Sequence, residues 1–144
     1  MADDHSEVLD LFENNDPSDH PIPALKLILE LNNGNGRWRT ISPSRNIRKA
    51  RGRHIFVVQR GQLIVGKVAE RLGAERPISH IDLVGGDPIA FGGEIKFGGS
   101  YGGRGRIRWW NDQTGHYFKQ DRLIDPTIVP SLPQELFERY RRGT

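Results

Sequence analysis

The sequence predicts a β-rich α+β fold: a single curled antiparallel sheet or small barrel, closed by a C-terminal helix. Three observations predict it. Apolar residues make up only 35% of the chain and glycine reaches 17 residues, so turns and short strands must carry the fold rather than long amphipathic helices. Short apolar runs between residues 54 and 110 are separated by glycine and polar turns. One late segment changes to helical spacing behind a capping signal. At 144 residues the chain fits one domain and can bury a core without covalent staples.

The elements follow in chain order. Residues 1–21 read as an acidic, flexible tail ending in Asp16-Pro17 and His20-Pro21, and residues 22–144 as a single β-rich domain. Residues 23–31 fit two templates: Leu25, Leu27, Leu29 and Leu31 alternate like a strand, while Leu25, Ile28 and Leu29 share a helical face. Leucine, alanine and Pro23 in the first turn favour an N-terminal helix. Residues 32–36 (Asn-Asn-Gly-Asn-Gly) are a turn. His54–Val58 and Leu63–Val68 read as a strand pair joined at Gln59-Arg60-Gly61-Gln62. Ile81–Val84, Ile89–Phe91, Glu94–Phe97 and Arg106–Trp110 read as shorter strands. Ser131 and Gln134 have capping-box spacing. Leu132, Leu136, Phe137 and Tyr140 then line one helical face, and Arg139, Arg141 and Arg142 suit the last turn before Gly143.

Composition also excludes. The absence of cysteine rules out disulfides and thiolate zinc sites. No apolar run reaches the length of a membrane helix, and Met1-Ala2-Asp3-Asp4 is acidic where a Sec signal is basic. A cytoplasmic location, or delivery into a target cell by a non-Sec route, is the expectation. The net charge is only +3, yet it is lopsided. Residues 1–20 hold seven acids and no Lys or Arg. Residues 37–53 hold seven bases (Arg37, Arg39, Arg45, Arg48, Lys49, Arg51, Arg53) and no acid. Such a block is the electrostatic footprint of RNA or another polyanion, or a solvated face. The acidic tail is then expected to compete for it.

Nine glycines fall between residues 85 and 105; with no P-loop or dinucleotide fingerprint, they read as turns and bulges. In an extended strand Arg104, Arg106 and Arg108 share one face with Trp110, a surface able to hold phosphates and stack a base. His80 and His116 lie in polar turns, Ser79-His80-Ile81-Asp82 and Thr114-Gly115-His116-Tyr117. Two imidazoles can divide general-base and general-acid roles, with Glu94 or Asp82 orienting one. His80 and His116 are expected to share a concave site with Glu94 or Tyr117, with Ser79, Asp82 and Thr114 contributing to ligand binding. No H-x-H or H-x-x-x-H pair supports a metal.

These residues recur in a wider pattern: the strand pair from His54, Ser79-His80, Gly85-Gly86-Asp87-Pro88, Gly92-Gly93-Glu94-Ile95 and Thr114-Gly115-His116-Tyr117. The segment resembles a domain at the C-termini of bacterial polymorphic toxins and secreted effectors. It also resembles the C-terminal half of plant calmodulin-binding IQ-motif proteins. The resemblance covers less than half of the chain and maps onto His80, Gly86, Gly93, Glu94, Gly115, His116 and Tyr117. Thr114 stands where serine is usual, Phe118-Lys119 stands where a proline usually follows the tyrosine, and the plant proteins carry a basic residue at the place of Glu94. The resemblance implies a toxin or effector context, a shared pocket, and an immunity or target protein as partner.

Two classes of function fit. The first is an enzymatic effector, with His80, Glu94, His116 and Tyr117 as its catalytic set. In one version it is a metal- and cofactor-free ribonuclease whose histidines move protons while Arg104, Arg106 and Arg108 neutralise phosphate. In the other it is an ADP-ribosyltransferase using NAD, with Tyr117 stacking nicotinamide, although the order His80–Glu94–Tyr117 differs from the usual His, Tyr, acid. The second class is a non-catalytic basic module that binds nucleic acid or an acidic protein.

Overall fold

The computed structural model describes residues 10–68, 71–72, 76–118 and 124–140. Seven antiparallel strands form one sheet: β1 (Leu27–Asn32), β2 (Arg37–Ile41), β3 (Ile47–Lys49), β4 (Gly52–Gln59), β5 (Gln62–Lys67), β8 (Phe91–Phe97) and β9 (Ile107–Trp110). Their spatial order is β3-β2-β1-β5-β4-β8-β9, and β6 (Arg71–Leu72) pairs separately with β7 (Arg76–Pro77). A short helix, α1 (His80–Val84), precedes β8. No helix among the described residues is long and apolar enough to cross a membrane.

Local chemistry explains the tightest connections. The β4–β5 hairpin turns on Arg60 and Gly61, both with positive φ (51° and 75°), the pattern of the two-residue turn that matches strand twist. The sheet then curls until its ends meet at Gly105. This residue donates to the Ala50 carbonyl at 2.6 Å and accepts from the Trp38 N–H at 2.8 Å. Gly105 has φ 80°, and a Cβ there would lie 2.8 Å from Arg37 Cβ and 2.9 Å from the Trp38 carbonyl oxygen. Only glycine closes the curl at this point.

One face of the sheet buries Leu27, Leu29, Trp38, Phe56, Val58, Val65, Phe91, Ile95 and Trp110. Phe91 continues the packing to Phe118, and Phe118 to Phe12, through edge-on ring contacts. Helix α1 sits on the other face above Gly66, where a Cβ would approach Ile78 Cδ1 to 2.5 Å and Leu83 Cδ2 to 3.0 Å.

Three expected elements differ. Residues 27–32 form a strand, not a helix, because pairing with β2 and β5 buries Leu27 and Leu29 on alternate positions; sheet pairing outweighs leucine's helix propensity. Residues 81–84 belong to a helix, not a strand. The Ser79 N–H donates to Asp82 Oδ2 at 2.8 Å, and Gly85 ends the helix in the left-handed conformation. The expected C-terminal helix is replaced by 3-10 turns at Pro126–Ile128 and Gln134–Leu136. The Gln134 amide donates to the carbonyls of Pro126, Val129 and Leu132 instead of capping a helix. The chain then runs alongside β9, where the Glu138 N–H reaches the Trp110 carbonyl at 2.8 Å and Phe137 packs 4.8 Å from the Trp110 ring. A strand edge and a buried aromatic contact hold this segment extended, and buried Asp112 fixes it through Arg139 at 2.7 Å and the Tyr140 N–H at 2.9 Å. Arg141, Arg142 and Gly143, read as the helix end, lie outside the described residues.

Residues 10–21, assigned from the sequence to the tail, are fastened to the domain together with Ile22. Phe12 exchanges both backbone hydrogen bonds with Ile89 at 2.9 Å, and Ile22 donates to Asp82 at 2.7 Å. Among the acids of this segment, Asp10 accepts from the Arg60 N–H and Asp19 bonds His116, rather than the bases of residues 37–53.

Candidate functional site

The histidine neighbourhood is built from three separate segments. His80, the first residue of α1, is 6% exposed, and its Nε2 lies 2.8 Å from the Gly93 carbonyl oxygen. A carbonyl only accepts, so Nε2 carries the hydrogen. Burial lowers the His80 pKa to about 4; the Gly93 carbonyl opposes this and nearby His116 adds to it. His80 is therefore neutral at pH 7. His116 Nε2 lies 2.8 Å from Asp19 Oδ2. Its backbone is fixed by Asn15, whose N–H donates to the His116 carbonyl at 2.6 Å and whose amide donates to the Tyr117 carbonyl at 3.0 Å.

The remaining predicted residues divide. Tyr117 is buried, and its hydroxyl donates to the Asp87 carbonyl at 2.8 Å. Burial, and then the Asp87 charge, raise its pKa further above the phenol range. Its ring is interior and presents no stacking surface to nicotinamide. Glu94 accepts from Asn111 Nδ2 at 3.3 Å and faces Arg53 at 3.8 Å, so its partners are not the histidines. Ser79 caps α1 with its backbone. Asp82 has a fully buried carboxylate bound by Arg76, Ile22 and Ser79; it is a structural clamp. Burial works to raise its pKa, but the Arg76 guanidinium and the two backbone N–H groups outweigh this and hold it low. Thr114 packs its methyl toward Gly92, and its buried hydroxyl has no hydrogen-bond partner among the described residues. Asp16, Asp19 and His116 bring three potential metal donors within 4.8 Å of one another. Two of these donors are already taken by the Asp19–His116 bond, and Asp16 accepts from the Ser18 hydroxyl at 2.6 Å.

A second site lies where the curl closes. Arg37 of β2 donates through Nη1 to the carbonyls of Gly102 at 3.0 Å and Arg104 at 2.8 Å, clamping residues 100–105 beside the basic block. Arg39 is occupied by Glu30, with Nε at 2.8 Å. Arg48, Lys49, Arg51, Tyr101 and Arg104 line one concavity of about 360 Å³. Arg48 and Lys49 also line an adjoining hollow of about 230 Å³ with Arg37 and Arg39. Among the described residues, no carboxylate lies within ion-pair distance of Arg48, Lys49, Arg51 or Arg104. β3, which carries Arg48 and Lys49, is an exposed edge strand.

The predicted arginine–tryptophan face is corrected. Lys96 pairs with Trp109 and Phe97 with Ile107, leaving Arg108 as an extra, bulged residue. The bulge breaks the alternation, so Ile107 and Trp110 point inward together. Trp110 is completely buried, with Nε1 donating to the Pro133 carbonyl at 2.7 Å. Arg106 and Arg108 stay exposed, and Arg104 stands in the preceding turn. The exposed aromatic is instead Tyr101, which is 88% exposed, with the Arg104 guanidinium 5.0 Å from its ring centroid. Sequence reasoning missed it inside a glycine run read as a turn; an aromatic flanked by glycines and arginines was the available signal.

No protein-family model, curated protein or solved structure matches this chain.

Proposed function

We propose that the protein binds nucleic acid through the basic concavity of β3 and the 100–105 turn. One observation carries this reading: four cations with no carboxylate partner among the described residues, from segments about fifty residues apart in sequence, meet around a single hollow with one exposed tyrosine. Phosphate neutralisation requires such cations, and their convergence is not needed to hold the fold. Replacing Arg48, Lys49, Arg51 and Arg104 with alanine should weaken binding to a single-stranded RNA oligonucleotide. If all four contact phosphate, the slope of log affinity against log salt should fall by about 3. Fluorescence anisotropy across a salt series measures this, and an unchanged slope rejects the surface.

The Asp19–His116 pair beside neutral His80 favours a second reading, in which bound RNA is cleaved by a histidine acid–base pair. His116, oriented by its contact with Asp19 at 2.8 Å, would be the proton donor, while His80 would remain the neutral partner. His116→Ala should then abolish cleavage and leave RNA affinity within about twofold. A wild-type protein that leaves RNA intact, or a variant that still cuts it, rejects this reading.

A further inference from the structure

We propose that the concavity takes an unpaired nucleotide, with its base stacked on Tyr101 and its phosphates among Arg48, Lys49, Arg51 and Arg104, so that the ligand is single-stranded. This rests on the nucleic-acid reading and narrows it. Tyr101 is the single aromatic lining the hollow and the most exposed large apolar residue described. A ring so exposed adds nothing to the core, and it stands where four cations converge.

The turn holding Tyr101 is fixed before any ligand arrives. The N–H groups of Gly103 and Arg104 both donate to the Ser100 carbonyl, at 3.0 and 2.9 Å. Arg37 holds the Gly102 and Arg104 carbonyls from the sheet side. Gly98 and Gly103 pack backbone to backbone, since a Cβ on Gly98 would lie 2.6 Å from the Gly103 carbonyl oxygen. A pre-organised platform spends little binding energy on ordering itself. Arg104 lies against one side of the ring, and a guanidinium stacked in this way keeps its N–H edge available to phosphate. The volume of about 360 Å³ lies at the small-ligand end of binding pockets. In a duplex the faces of a base are already covered by its neighbours, so only an unpaired base can stack on a side chain.

The test compares three ligands: a single-stranded RNA oligonucleotide, the same sequence as a duplex, and inorganic polyphosphate. Wild-type protein should favour the single strand. Tyr101→Ala should lose about 5- to 150-fold in affinity for it, while Tyr101→Phe retains binding and polyphosphate affinity is unchanged in both variants. Unfolding midpoints equal to wild type would show that the fold is intact. If wild type binds single strand and duplex equally and Tyr101→Ala alters neither, the inference fails and the nucleic-acid reading stands. If wild type binds none of the three ligands, both fail.

Discussion

Lowering the pH from 7 to 4 is expected to remove much of the protein's stability, because two histidines are buried in the neutral state. Burial is the main cause for both. It lowers His54 to about 4, helped by Lys67 and opposed by the Gly52 backbone, and it lowers His80 to about 4. Each returns to about 6.5 in the unfolded chain. Between these values the unfolded state binds more protons, so stability falls with falling pH. The contribution is complete above pH 6.5, declines through the window, and is exhausted below pH 4. At about 1.4 kcal/mol per unit, each histidine accounts for about 3 kcal/mol, against a total of about 5–15 kcal/mol for a typical domain. Urea unfolding at pH 7.5, 6, 5 and 4.5 measures the loss. His54→Gln and His80→Gln should each flatten the curve by about half, whatever they cost at neutral pH. A midpoint that stays constant across this range would show that neither imidazole is shielded from water.

Asp82→Ala should be the most damaging single substitution among the predicted site residues. The side chain is fully buried and accepts from Arg76 at 2.6 and 2.7 Å, from the Ile22 N–H at 2.7 Å and from the Ser79 N–H at 2.8 Å. Its removal leaves a guanidinium and two backbone donors without their acceptor and releases the 10–22 segment from α1. Breaking a buried pair from one side costs about 3–5 kcal/mol. Arg76→Ala combined with Asp82→Ala should cost less than the sum of the two, since the second change removes the stranded partner. Asp82 also strengthens the acid sensitivity at its lower end, because a carboxylate held below its ordinary range loses its contribution as the pH falls through that range. Denaturant titration of the single and double variants is the measurement. A loss below about 1 kcal/mol for Asp82→Ala would contradict the clamp.

The sheet was legible where period and turn chemistry agreed. The β4–β5 hairpin shows both in Ile55–Val58, Arg60-Gly61 and Leu63–Val65, and it forms as read. Leu27–Leu31 carried the right alternation, but local propensity pointed elsewhere, and only the neighbouring strands decide between the two. Ser79 and Asp82 have the same capping spacing as Ser131 and Gln134, but the first pair opens a helix where the sequence reads as a strand, and the second opens none where it reads as a helix. The difference is tertiary: Asp82 finds Arg76 and Ile22, while Gln134 finds three carbonyls and Phe137 finds Trp110. The candidate sites divide in the same way. The basic block was visible as composition. Its partner turn was not, because Arg37 to Arg104 is a contact set by the closure of the sheet. The Asp19–His116 pair spans 97 positions, and no motif spacing covers that distance.

The junction at Gly105 has a kinetic meaning. Joining it to Trp38 and Ala50 closes a loop of more than fifty residues, and such long-range closures are slow because chain entropy is lost before the contact repays it. The basic hollow therefore does not mature with its own strand pair. β2 and β3 can zip together early, yet they gain Tyr101 and Arg104 only when the last strands arrive. During synthesis, a nascent chain that ends before residue 100 carries Arg48, Lys49 and Arg51 without Tyr101 or Arg104, so it presents the charge of the hollow without the ring proposed to select an unpaired base.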